Sequence, residues 1–333
     1  MGKMGQLIKL QDYVSRYEQD IYRYPTQFVR LKKQQWSKLH GAFQLGTLHE
    51  MFSNEEDEKW IEEKPTIFER LISAVRKPEK KEEGAANTGS ETEKAEQNDE
   101  ELQLSIKTIP RTEEALKIAF LNQLFHFQMK WATSTIRERS LVDRAYYRDE
   151  RLKLLLQRFP DTFLVLFEPV LRINKAPIEL DTIVLTPTAV WCITFLEELD
   201  LSVYVGNNDK FWVRRHHESE EKRVLNPVIS LQRSEKIIHR LFQLYNVELP
   251  IKKAIISRNS YIEYTSGTND LYILDKKRFP EWFDSMRRSN SPIKRQQIKG
   301  AEVLLDYSQT TSMMRMEWSE YDGVAEEAEA AEK

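Results

Sequence analysis

The sequence predicts an α/β protein whose core runs helix, three strands, helix, strand (α-β-β-β-α-β) around a mixed sheet, behind an N-terminal helical extension. Three observations carry that expectation. The stretch "DRAYYRDERLKLLLQRF" (143–159) has helical spacing and stops at Pro160. Three apolar segments with strand-like residues follow, "DTFLVLFEPVLRI", "PIELDTIVLTP" and "TAVWCITFLEEL", parted by Asn-Lys and Thr-Pro-Thr turn signals. Asn226-Pro227 then offers an N-cap and a first-turn proline to a stripe of Val228, Leu231, Ile238 and Leu241, and "KKAIIS" after it reads as a strand.

Taken in order, the N-terminal "LIKLQDYVSRYEQDIYRYP" spaces Leu7, Leu10, Val14, Tyr17, Ile21 and Tyr24 as one helix face, with Pro25 as its stop. Thr26 caps a second helix carrying Phe28, Leu31, Gln35 and Leu39, so the pair reads as a helical hairpin. Basic and aromatic residues interleave here, among them Arg16, Arg23, Lys32 and Trp36. Such a pattern suits either nucleic-acid contact or packed aromatics under long basic stems. A short helix is expected around "EKPTIFERLISAV", within 55–76. Residues 77–101 hold nine acids, four bases and no large apolar side chain, so they read as a disordered acidic linker. Thr112-Glu113-Glu114 starts a buried helix through "ALKIAFLNQLFHFQMKW". "SVYVGNNDKFWVRR" reads as a hairpin, "VRRHHESEEKR" as a charged loop, "LYIL" as a strand and "PEWFDSMRR" as a helix. The expected organisation is a helical region at 1–76, the linker at 77–101, a helical lead-in at 102–140, the α/β domain at 141–290, and a C-terminal helix with an acidic tail at 291–333.

Apolar residues make up 40% of the chain, enough for a core. Net charge is -3, but 77–101 and the tail from 317 are strongly acidic, which leaves the remainder at +8. A basic body suits a polyanionic partner such as nucleic acid, or else its Lys and Arg solvate helix faces; the N-terminal helices are candidates for a protein partner. No uncharged run reaches the roughly 18 residues of a membrane span, and Met1-Gly-Lys-Met-Gly-Gln has no signal-peptide core, so no membrane association is expected. The one cysteine, Cys192, excludes an internal disulfide and fits a cytoplasmic setting. It lies in an apolar strand, where a thiol is inert. His216-His217 lacks the further ligands of a zinc site.

Around "ELDTIVLTPTAVWCI" the chain resembles the nuclease-related domain (NERD) family of the PD-(D/E)XK nuclease-like superfamily. "NDKFWV" and "NPVISLQR" extend the resemblance, which covers roughly 143–275. It implies a restriction-endonuclease-like core. It also implies that Asp181 stands at the metal-binding aspartate and that the family's Glu-x-Lys falls on Thr194-Phe195-Leu196. Two further positions follow from it: an acid on the preceding helix at Glu150 or Asp149, and a cleft glutamine at Gln232. A hydroxyl and a hydrocarbon cannot replace a carboxylate and an amine at a magnesium site. The resemblance therefore implies a degenerate nuclease centre in a non-catalytic nucleic-acid- or protein-binding module, with no cofactor. The alternative is an active nuclease with a rearranged site, holding magnesium or manganese at Asp181.

Overall fold

In the computed structural model, residues 3–49, 110–265 and 270–314 are described. The helix expected near 63–75, the acidic linker and the acidic tail lie outside them. Contacts group the chain into two units, Met1–Arg30 with Leu124–Lys333, and Leu31–Gln123.

The elements run β1 (Gln6–Leu10), α1 (Tyr24–Leu45), α2 (Glu113–Trp131), β2 (Glu138–Arg139), α3 (Glu150–Arg158), β3 (Leu164–Phe167), β4 (Val170–Ile173), β5 (Ala176–Glu179), β6 (Thr182–Leu185), β7 (Val190–Phe195), β8 (Val203–Gly206), β9 (Phe211–His216), β10 (Ser219–Leu225), α4 (Pro227–Leu244), β11 (Ile251–Ile256), β12 (Tyr261–Tyr264), β13 (Leu271–Leu274), α5 (Phe279–Arg288), α6 (Arg295–Asp306) and β14 (Met313–Met314). The main sheet has the order β1-β3-β6-β7-β11-β13, and a second sheet has β10-β9-β8-β12. In the first, β3, β6 and β7 are antiparallel neighbours, while β1 joins β3, β11 joins β7 and β13 joins β11 in parallel. A mixed α/β sheet is therefore what the chain builds. α4 covers β7 and β11, and α6 packs on α4 and β6. β3, β6 and the first four residues of β7 are wholly buried, as strands covered on both faces must be.

The N-terminus departs from the helical reading. Gln6–Leu10 is a strand, buried at all five residues, and Gln11 at φ 43° ends it. Spacings of three and four residues also fit a strand followed by a turn when both faces are covered; pairing with β3 outweighs the helical period. Pro25 does not stop a helix. It sits at the second residue of α1, where an N–H would have no partner in any case. Arg16 and Lys32 of the basic-aromatic pattern are buried. In the first unit, Tyr17, Tyr24, Phe28 and Phe127 surround Trp131 at ring distances of 6.0, 5.3, 6.4 and 4.8 Å. Such aromatic pairs add about 0.5–1.5 kcal/mol each beyond area burial. In the second unit, Trp36 lies 5.2 Å from Phe120, and Glu113 accepts from Lys117 at 2.7 Å.

Two long segments are broken where the sequence offered one element. The 143–159 stretch is a 3-10 turn, Arg144–Tyr147, capped by Asp143, then α3 capped by Asp149. The 161–173 stretch is split into β3 and β4 by Glu168, held at φ 48° before Pro169. Asn174 and Lys175, both at positive φ, turn β4 into β5. The charged loop expected over 213–223 is instead the end of β9 and the start of β10, zipped together. Among the described residues no helix is long and apolar enough to cross a membrane.

Candidate functional site

Thr182 pairs with Ile193 in the β6–β7 ladder, so the residue before β6 meets the residue after Ile193. Those residues are Asp181 and Thr194, and the Thr194 hydroxyl donates to Asp181 Oδ1. From above, α4 presents two serines one turn apart. Ser230 Oγ lies 3.0 Å from Asp181 Oδ1, sharing its proton with the Pro227 carbonyl, also at 3.0 Å. Ser234 Oγ donates to Asp181 Oδ2 at 2.7 Å and accepts from the Asp181 N–H at 3.2 Å. Asp181 is thus satisfied by three hydroxyls from two elements.

Beside it opens a cleft of about 200 Å³, lined by Arg151, Glu168, Glu179, Asp181, Thr194, Phe195 and Arg233 among others. Arg151, from the first turn of α3, reaches both ways: Nη1 donates to Glu168 Oε1 at 3.0 Å and Nη2 to Asp149 Oδ2 at 2.6 Å. Its guanidinium lies over the rings of Phe167 and Phe195, at 5.3 and 6.0 Å. Arg233 donates to the Glu179 carbonyl at 3.0 Å. Burial pushes the Glu168 carboxyl above its ordinary range; Arg151 opposes the shift, while the charges of Asp149 and Glu179 add to it. Burial also acts to raise Asp149, but Arg151 and the backbone N–H groups at the start of α3 hold it below the usual carboxylate range.

The other sequence-predicted site residues fall differently. Glu150 is exposed and paired with Lys153 at 3.0 Å, outside the cleft. Asp149, the alternative, touches the cleft only through Arg151. Gln232 is exposed on α4, because residues 230 and 234 take the face toward Asp181. Leu196 is fixed by its backbone, its N–H donating to the Ile256 carbonyl at 2.8 Å. The acids after it are engaged elsewhere, Glu197 with Arg258 at 2.6 Å and Glu198 with Arg214 at 2.6 Å. Lys253 stands opposite Cys192 in register and is ion-paired with Glu235 of α4. Cys192 is fully buried, which raises its thiol well above the ordinary value. His216 Nδ1 accepts from the Glu218 N–H at 3.2 Å, and its Nε2 lies 3.1 Å from the Asp200 carbonyl. Among the described residues no three His, Cys, Asp or Glu side chains group as metal ligands.

Arg151, Glu168, Arg233, Ser230 and Ser234 are the site residues that sequence reasoning missed. Ser234 did leave a signal: it interrupts the apolar stripe between Leu231 and Ile238. Glu168 stands at a strand break before proline.

One curated protein, the RNA 2',3'-cyclic phosphodiesterase of Geobacillus stearothermophilus, is 35% identical over 127 residues, 38% of this chain. The chain spans about a third of that relative's length, 36% of it. No family model and no solved structure matches the chain. The similarity corrects the functional expectation. A degenerate NERD-type binding module, with a rearranged metal nuclease as its alternative, gives way to a relative whose name is that of an RNA phosphoesterase.

Proposed function

We propose that this chain acts on a phosphoester of RNA, a terminal 2',3'-cyclic phosphate, in the cleft beside Asp181. The observation that carries the reading is the Arg151–Glu168 pair: a guanidinium held over two rings against a carboxyl of raised proton affinity. The name of the partial relative supplies the substrate class.

An entering phosphate meets Arg151 already engaged, so it must exchange with Glu168. Protonated Glu168 releases the guanidinium at little cost, and Arg151 then turns its fork to the phosphate oxygens, with Arg233 at the rim. Water attacks phosphorus and the P–O bond to the ribose breaks. Its electron pair stays on the ribose oxygen, which takes the Glu168 proton; the attacking water gives its proton to solvent, from which Glu168 is recharged. Asp181, pinned by Thr194, Ser230 and Ser234, fixes the junction of β6, β7 and α4 on which the cleft is built.

A restriction-endonuclease-like core of the NERD pattern is the fold reading we propose beneath this chemistry. The order α3, β3, β6, β7, α4, β11 supports it, as does Asp181 at the head of the second core strand.

The test is an RNA oligonucleotide ending in a 2',3'-cyclic phosphate, with conversion to the monophosphate followed by chromatography. Turnover is expected, with Glu168→Gln slower by about 10²–10⁴-fold and Arg151→Gln by about 10²–10³-fold. No turnover by the wild-type chain, or full turnover by both variants, overturns the reading.

A further inference from the structure

The second sheet carries a face that the cleft chemistry does not use. Along β9, Trp212 and Arg214 point inward and are buried, so Phe211, Val213 and Arg215 point out. Leu225 of β10 pairs directly with Phe211, and Arg223 with Val213, placing all four on one outer face. Phe211 is 46% exposed and Leu225 56%, and Ile229 in the first turn of α4 is 44% exposed. Ile229 and Arg233 are one helical turn apart and share a face of α4, and Arg233 is at the rim of the cleft. The Lys210 amine sits 5.5 Å from the centre of the Phe211 ring. Ribbon and helix are locked together: the Asn226 N–H donates to the Lys210 carbonyl at 3.0 Å and its side chain to the Asp209 carbonyl at 2.7 Å.

We infer that Phe211, Leu225 and Ile229, flanked by Lys210, Arg223 and Arg233, form a track for single-stranded RNA leading into the cleft. This rests on the proposed action at an RNA end and adds the form of the substrate: a strand with free bases, not a mononucleotide or a duplex. An exposed ring offers a stacking surface to any base, and cations on the same face meet the phosphates between bases. Arg215 on that face is ion-paired with Glu221 at 2.8 Å, so the cations offered to phosphates are Lys210 beside the Phe211 ring, Arg223 on the sheet and Arg233 on α4. A duplex hides its base faces and gains nothing from Phe211.

The experiment measures binding apart from turnover, by fluorescence anisotropy of a labelled single-stranded RNA with the full-length chain. Phe211→Ala is expected to weaken binding about tenfold at every salt concentration, through lost stacking. Arg223→Ala is expected to reduce the slope of log affinity against log salt by about 1. Leu244→Ala, at an exposed leucine near the far end of α4, is the control for general surface changes and leaves affinity unchanged. Equal affinity in wild type and Phe211→Ala, or equal affinity of both for a duplex of the same sequence, overturns the track. So does binding to anionic phospholipid vesicles in place of RNA. Phe211-dependent binding without hydrolysis of the cyclic phosphate removes the proposed reaction and leaves the track standing. Hydrolysis without Phe211 dependence does the reverse.

Discussion

Three hydroxyls, from Thr194, Ser230 and Ser234, turn the positive ends of their dipoles to the Asp181 carboxylate. Ser234 donates at 2.7 Å from a fully buried position, so Ser234→Ala removes a hydrogen bond to a charged acceptor and leaves part of Asp181 unsatisfied. The expected loss is about 1.5–3 kcal/mol in urea unfolding. Gln232→Ala, two residues away and exposed, is expected to stay within about 0.5 kcal/mol. Glu168 gives a pH signature. Its folded pKa lies above the ordinary 4.5, so the native chain holds that proton longer than the unfolded one. The contribution is full below the ordinary carboxylate range and is lost as pH rises through the folded value. Wild type is therefore expected to lose stability relative to Glu168→Gln as pH rises above the ordinary carboxylate range, read from urea midpoints at a series of pH values. Parallel curves for the two proteins rule this out. At this scale the resemblance singled out Asp181 and Thr194, and the β6–β7 register brings the two side chains together. Glu150 and Gln232, also taken from the resemblance, are exposed and do not line the cleft, because which side of a helix faces a cleft depends on packing that the sequence does not show.

Elements with strong periods were legible. The stripe and Asn-Pro start of α4 and the central strands β6, β7 and β11 stand where apolar spacing put them, and α2 forms where expected but is buried only in part, Ile118 being exposed. β1 was misread as helix because a five-residue strand has too few side chains to set its period against a following turn. β10 escaped because its residues are exposed and charged, and a solvated ribbon shows no apolar alternation. The hairpin before it depends on Gly206 for a different reason than its turn. A Cβ at Gly206 would stand 2.3 Å from the ring of buried Trp212. Gly206→Ala must therefore push the indole out of its place between β8 and Tyr264, whose ring is 5.3 Å away. Loss of about 1–3 kcal/mol is expected, together with a red-shifted tryptophan emission as Trp212 meets water. An unchanged spectrum and midpoint would show that the strand has room the geometry denies it.

At the scale of the molecule, the mixed α/β sheet was readable from the order of segments, and the cleft was not, since it is assembled from α3, the β3–β4 break, β6, β7 and α4. The lone thiol reports on that assembly. Cys192 is fully buried between β6 and β11, and its register partners are Ile183 and Lys253. Labelling by an aromatic disulfide reagent is expected to proceed only through opening of the sheet, so its rate should track the unfolding free energy from urea. Rapid labelling of the native chain at neutral pH would mean that α4 lifts off by itself. The placing of β1 has a consequence of another kind. Its hydrogen-bonding neighbour is β3, so Leu7 must wait for Val165, more than 150 positions later, to leave the ribosome. Until then the first strand made is an open apolar edge with no mate. The hairpin of β6 and β7 can close locally, whereas the β1–β3 seam joins the two neighbouring strands of the sheet that lie furthest apart in the chain. A nascent chain halted before residue 160 should accordingly expose its N-terminus to proteases and chaperones, and one released past residue 200 should hide it.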